Sequence, residues 1–239
     1  MQRCVTVLAL LALLPLGALA AEPGGYVESV TPSMWAVRDN NRVLLEEGSE
    51  VYEFDIIQTS ETGSGIIHFK DDSILEIGSD SEIDLRQVVF SSNRSRLNVG
   101  VMQGMARVIS GGIIKINPRF MKLTTPRSSI GIRGTTVRIE ETPEMETITG
   151  EDLEEGHFIT VTNNRTFEVG SISGSGGSIQ TGGDNSMSTS GMAQMGLPSS
   201  GRNEMSMSTP LSAIGSEGGS DGGGGSCRDS NTVEGNRRD

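Results

Sequence analysis

Cysteine is nearly absent from this chain: of 239 residues only Cys4 and Cys227 carry a thiol. Cys4 stands before the first apolar run, in a segment that reads as a removable leader. One thiol then remains, and one thiol closes no internal disulfide, so the fold must rest on its core. Histidine is limited to His68 and His157. A Ser/His/Asp triad would need one of them beside a nucleophile and an orienting acid. No G-x-S-x-G elbow is present, because GSISG at 170–174 has the wrong spacing. Neither His has a Cys or His at zinc spacing. The glycine-rich GSGGS at 174–178 does not follow a strand and open a helix, so it fails as a phosphate loop. These absences argue for a protein that is not an enzyme and has no cofactor.

Positive charge is also in short supply, with 19 Lys and Arg against 31 Asp and Glu and a net charge of −12. A nucleic-acid surface needs a concentrated basic patch to release counterions, so nucleic acid is excluded as a partner. Adhesion to anionic lipid is excluded on the same ground. Long apolar runs are missing as well. The longest, Val5 to Leu14 in MQRCVTVLALLALLPLGALAAEPGG, is shorter than the 20 or so residues that span a bilayer. Arg3 before it and Ala18-Leu19-Ala20 after it complete the pattern of an export signal over residues 1–20. The expectation is export to the periplasm or beyond, with no stable membrane insertion once the signal is cleaved.

What is present is a β pattern. Runs of Val, Ile, Leu and Phe recur every 8–12 residues or so between Gly, Asp, Asn and Ser clusters. They predict strands at 35–37, 43–45, 55–59, 65–69, 74–77, 83–89, 96–101, 106–109, 113–116, 121–124, 135–139, 158–162 and 166–169. No long window has helical period, and residues 150–155 allow one helical turn at most. In DDSILEIGSDSEIDL (71–85), Leu75, Ile77, Ile83 and Leu85 share the inward parity. The two strands are expected on one wall, with Glu76, Glu82 and Asp84 outward. The predicted architecture is all-β: a body over 26–180 of short strands in a small solenoid-like roll or a β-sandwich. Residues 181–239, rich in Gly, Ser and Met, are expected to form a disordered C-terminal tail that cannot offset its ordering entropy.

Four stretches carry a resemblance: EEGSEVYEFDIIQT (46–59), IIHFKDDSILEIGSDSEIDL (66–85), GMARV (104–108) and TPRSSIGIRGTTVRI (125–139). In order they resemble the FecR domain family. Its pattern falls on Gly48; Asp55, Ile57 and Thr59; Phe69, Asp71, Ser73, Leu75 and Ile77; Ser81, Ile83 and Leu85; Thr125 and Pro126; and Arg133, Gly134 and Thr135. Asp72 stands where the family usually has Gly, a departure that a left-handed turn tolerates in Asp. The resemblance implies an exported all-β domain without catalytic residues, with Gly48, Asp55, Thr59, Phe69, Asp71, Ser73, Ser81, Arg133, Gly134 and Thr135 as structural positions of the motif. In regulatory members that domain is the periplasmic part of an inner-membrane sensor. No second apolar run is long enough to span a membrane, which turns the expectation toward a binding or scaffold role at the cell envelope. The partner class is an envelope protein or a cell-wall polymer. A periplasmic accessory in FecR-type signalling or metal-uptake sensing is the alternative.

Three arginines in TPRSSIGIRGTTVRI stand without an acid between them. Strand parity carried back from Val137 and Ile139 puts Arg133 inside unless the chain bends at Gly134; an inward guanidinium must be paired, a structural role preferred here to ligand binding. Asp55 and Asp71 are the candidate partners. Thr136, Arg138 and Arg127 are expected to face solvent. His68 is expected on an outer strand face. Asp80, Glu82 and Asp84 read as a solvated acidic face, although they could contact Ca²⁺ if a loop added carbonyls. Met187, Met192, Met195, Met205 and Met207 offer thioether spacing for Cu(I), with low-complexity drift as the plainer reading.

Overall fold

A computed structural model describes residues 21–91 and 94–196. The export signal expected at 1–20 and the residues after 196 lie outside the described residues. In chain order the strands are β1 (Gly25–Thr31), β2 (Met34–Arg38), β3 (Asn41–Leu45), β4 (Glu50–Val51), β5 (Ile56–Thr59) and β6 (Ser64–Phe69). Then come β7 (Ile74–Ile77), β8 (Glu82–Ser91), β9 (Arg94–Ile109), β10 (Met121–Thr124), β11 (Ser128–Ile132) and β12 (Thr136–Glu141). The last six are β13 (Met145–Glu151), β14 (Ile159–Asn163), β15 (Val169–Ile172), β16 (Ser178–Gly182), β17 (Met187–Ser190) and β18 (Ala193–Met195). One short helix, α1 (Gly112–Ile116), and a 3-10 turn at Pro118–Phe120 interrupt them. No helix among the described residues is long and apolar enough to cross a membrane.

The strands form two layers. The first runs β4-β1-β6-β7-β9-β12-β13-β16-β17. The second runs β3-β2-β5-β8-β9-β10-β11-β14-β15-β18. Among the described residues only β9 and β10 pair in parallel. The chain lays down a strand or hairpin in one layer, crosses to the other, and so advances from the β3 and β4 edges through β9 to the β17 and β18 edges. Both readings left open by the sequence therefore apply: the layers make a sandwich, and the winding is solenoid-like.

Strand β9 belongs to both layers. Its first half pairs with β8 and β10, and its second half with β7 and β12. The pattern predicted two strands here, and the structure joins them. The inward parity changes across the join: Leu97, Val99 and Val101 are buried, then Ala106 and Val108. Gly104 makes the change, at φ +86°, with Ser81 packed where a side chain would stand. Only Gly takes this backbone without strain.

Aliphatic side chains from both layers meet in a single core. Val27, Ile67, Leu75, Val108, Ile139 and Ile148 face Met34, Ile57, Ile83, Leu123, Val161 and Ile172, all fully buried. At about 25 cal/mol per Å² of apolar surface removed from water, each such side chain stabilises the fold by roughly 1.5–3 kcal/mol. Phe69 is the one aromatic side chain among the buried core residues described.

Three sequence expectations are corrected here. Strands β7 and β8 keep their predicted parity, but they lie in opposite layers, so their apolar pairs face each other across the core. The 113–116 strand is the helix α1. Ile113 and Ile114 are consecutive and both buried, which a helical turn allows and a strand's alternation does not. The 166–169 segment is a turn with Phe167 at φ +59°, and its strand begins at Val169. The strand ladder also runs past the expected boundary at 180. Strands β17 and β18 pair with β16 and β15 through backbone hydrogen bonds, with only Met187 and Ala193 packed against the core.

Candidate functional site

The motif residues sit where the chain crosses between layers, and most of them satisfy backbone groups there. Asp55 is fully buried. Its two carboxylate oxygens accept from Arg38 Nε at 2.7 Å and Nη2 at 2.8 Å, and one also accepts from the Tyr52 amide at 2.9 Å. The Thr59 hydroxyl donates to the Gly78 carbonyl at 2.7 Å and accepts from the Ser81 amide at 3.0 Å. Ser81 Oγ accepts from the Met105 amide at 3.0 Å, just past the Gly104 bend. Asp71 accepts from Ser73 Oγ at 2.7 Å and from the Ile113 amide at 3.2 Å, and Ser73 Oγ accepts from the Gly111 amide at 2.9 Å. Buried crossings leave amides without a ladder partner, and these short polar side chains supply one. Phe69 is a core residue, 6.5 Å from Phe90. Gly48 and Asp72 both take the left-handed region, at φ +82° and +64°.

The arginines exchange their expected places. Arg133 is exposed and has no ion pair among the described residues; its guanidinium lies 5.8 Å from the Phe158 ring centre. The parity argument fails at Gly134, where φ is +65° and the chain crosses from β11 in one layer to β12 in the other. Asp55 and Asp71 are already engaged as described. Thr135 and Thr136 are both buried; the Thr135 hydroxyl donates to the Glu151 carbonyl at 2.8 Å. Arg138 is half-exposed and pairs with Glu151 at 2.7 Å. Glu151 also pairs with Arg107 at 2.6 Å. Burial raises this carboxyl, but the two guanidiniums outweigh it and hold Glu151 below the ordinary carboxylate range.

Arg127 is the internal tie. Its side chain is 13% exposed and pairs with Glu141, which is 4% exposed. It also donates to the carbonyls of Thr142 at 3.0 Å and Pro143 at 2.5 Å. Glu141 lies directly across the β12–β13 ladder from Glu146, which is fully buried. Glu146 accepts from Ser128 Oγ at 2.6 Å and from the Thr125 hydroxyl. That hydroxyl in turn accepts the amides of Arg127 at 3.1 Å and Ser128 at 2.8 Å. Glu141 Oε2 is buried with no partner. Burial pushes the Glu141 carboxyl up to about 7; Arg127 opposes the rise and Glu146 adds to it.

Four exposed cations gather elsewhere, beside the outer face of the second layer. Beside the 3-10 turn lies a groove of about 780 Å³. Its floor is made by β10, β11 and β14, whose register sets Lys122, Gly131 and Thr160 in one row and Ser129 and Thr162 in the next. Arg119 stands on one wall, and Arg133 with Phe158 on the other. Lys115 lines an adjoining cleft of about 650 Å³ that shares Pro118 and Arg133, and whose far side carries Asp152, Glu154 and His157. No carboxylate among the described residues lies within ion-pair distance of Lys115, Arg119, Lys122 or Arg133. In a chain of net charge −12 this is a concentrated exception.

The remaining candidates are engaged or apart. His68 lies on an outer face, 2.8 Å from Glu28 and stacked on Tyr26. Glu82 accepts from Gln58 at 3.0 Å, Asp84 pairs with Arg86 at 2.8 Å, and Asp80 accepts from Gln103 at 3.0 Å. Among the described residues no three metal-ligating groups converge. Met187 packs against the core, and Met192 and Met195 are exposed. Met205 and Met207 lie outside the described residues. Sequence reading missed Lys122, Arg119 and Phe158, because only the three-strand register and the 3-10 turn bring them together. It also missed Glu141 and Glu146, although both stand at inward parity with Ile139 and Ile148.

Residues 55–151 match the family model described as FecR protein. The match begins at Asp55 and includes Arg133, Gly134 and Thr135. No curated protein matches the chain. Two crystal structures of a candidate anti-sigma factor from Parabacteroides distasonis are similar at a TM-score of 0.44 and 9% identity. The likeness covers 56% of this chain and 58% of that one.

Proposed function

We propose that this chain is a non-enzymatic binding module of the cell envelope, built on a FecR domain, and that it holds its partner in the basic groove beside Pro118–Phe120. The observation that carries the reading is the set of unpaired cations around Phe158 on an otherwise acidic molecule. The leader read from residues 1–20 supports export. The FecR match supports a second reading as well, a periplasmic accessory of FecR-type signalling. In that case the same groove would contact a component of the signalling complex.

Site-specific photo-cross-linking in a Gram-negative host tests the proposal. A cross-linker at Thr162, on the groove floor, is expected to capture an envelope component. The same group at Arg86, outside the groove on the same layer, is expected to capture none. Equal capture at both positions, or capture at neither, would overturn the assignment of the groove. A fall in transcription from a linked sigma-factor promoter on deleting the chain separates the signalling reading from the scaffold reading.

A further inference from the structure

We infer that the ligand of the groove is an anionic polysaccharide, a hydroxyl-rich chain bearing carboxylate or phosphate groups. The inference rests on the proposal that the groove is the binding face, and it names the chemistry of the occupant.

The floor decides between polymer classes. Strand β11 lies between β10 and β14, and its backbone is already paired on both sides. An extended peptide therefore finds no free edge there to add to by main-chain hydrogen bonds. The floor offers the hydroxyls of Ser129, Thr160 and Thr162, and a bare central position at Gly131, where an added Cβ would meet nothing within 4 Å. Hydroxyl groups both donate and accept, which suits the hydroxyls of a sugar ring. Phe158 is half-buried and presents a ring at the groove's wall, where an apolar sugar face can pack. Arg119, Lys122 and Arg133 stand around this floor with their charges unspent. Arg guanidiniums hold carboxylate or phosphate in bidentate geometry, and Lys adds a point charge.

The chain's own charge strengthens the selection. Glu82 and Asp84 lie on the same layer, at the β8 ladder. Lys122 lies beyond them, across β9. A polyanion thus meets a near-balanced surface at β8, where Arg86 offsets Asp84, and uncompensated positive charge at the groove.

The test uses the full mature chain and four probes: alginate, a phosphorylated mannan, neutral dextran and polyglutamate. Binding is read by calorimetry at 50 and 200 mM salt. Either charged glycan is expected to bind and dextran not to bind, with affinity falling on the order of tenfold across that salt range. The Lys122→Ala/Arg133→Ala pair is expected to abolish most of the binding. Arg42→Ala/Arg86→Ala, which removes the same charge elsewhere, is expected to leave it unchanged. All four positions are exposed, so melting temperature checks that each variant folds. The ratio of alginate to mannan affinity tells carboxylate from phosphate. Polyglutamate binding as tightly as the glycans overturns the saccharide in favour of an acidic peptide. No binding of any polyanion, or binding indifferent to Lys122 and Arg133, overturns the inference. Cross-linking at Thr162 to an envelope protein would then leave the groove itself standing.

Discussion

The arginine at position 127 and the one at 133 look alike in the sequence, six residues apart in one motif. One is locked against the buried Glu141, and the other stands in solvent over a phenyl ring. Arg127→Ala would leave the buried Glu141 without its cation, beside the buried Glu146 across the ladder. It is expected to destabilise folding by about 3–5 kcal/mol in urea titrations at pH 8, and by less at pH 6, where Glu141 can take a proton. Arg133→Ala is expected to leave the urea midpoint unchanged. A larger loss for Arg133 than for Arg127 would return Arg133 to the interior. The Glu141 carboxyl carries a second prediction. Its pKa in the fold, about 7, lies above the ordinary carboxylate value. Between these two values the folded chain binds more protons than the unfolded one, so stability falls as pH rises through that window. Melting temperature followed from pH 4.5 to 8 is expected to show this fall, and Glu141→Gln to flatten it. An unchanged slope in the variant would assign the pH dependence to other groups.

At the scale of elements, the bend in β9 decides how the layers connect. Gly104→Ala meets a left-handed φ and a contact of 2.2 Å from the new Cβ to Ser81 Oγ. It is expected to cost at least about 1–3 kcal/mol, read as a lower urea midpoint; a variant as stable as the parent would mean that the bend relaxes freely. The example shows what strand patterns carry. Leu75, Ile77, Ile83 and Leu85 announce their inward faces, because alternation follows from the pleat alone. Which layer each strand joins does not follow from the pleat, since it depends on pairings distant in the chain. The helix α1 was concealed by its own composition: Ile-rich residues read as strand, and the Asp71 and Ser73 side chains that hold its start lie about 40 residues away. Glu141 and Glu146 were legible by parity and were passed over because acids are expected outside.

Across the whole molecule, the family motif was readable because its short polar residues recur in a fixed order at the crossings. The groove was not, because its lining comes from three strands and a turn spread over more than 40 residues, and no local signal links Arg119 to Phe158. Charge was readable only as a sum; its segregation needed the register. The stepwise laying of hairpins away from β9, alternately in each layer, has a consequence for ancestry. Most strands touch only near neighbours along the winding, so the molecule is quasi-one-dimensional. A hairpin gained or lost at the outer strands β3, β17 or β18 alters one boundary and leaves the centre intact. Length is therefore a variable that such a lineage can change without reinventing its middle, and the segment from Asp55 to Glu151, which spans that middle, is the part that a family model retains.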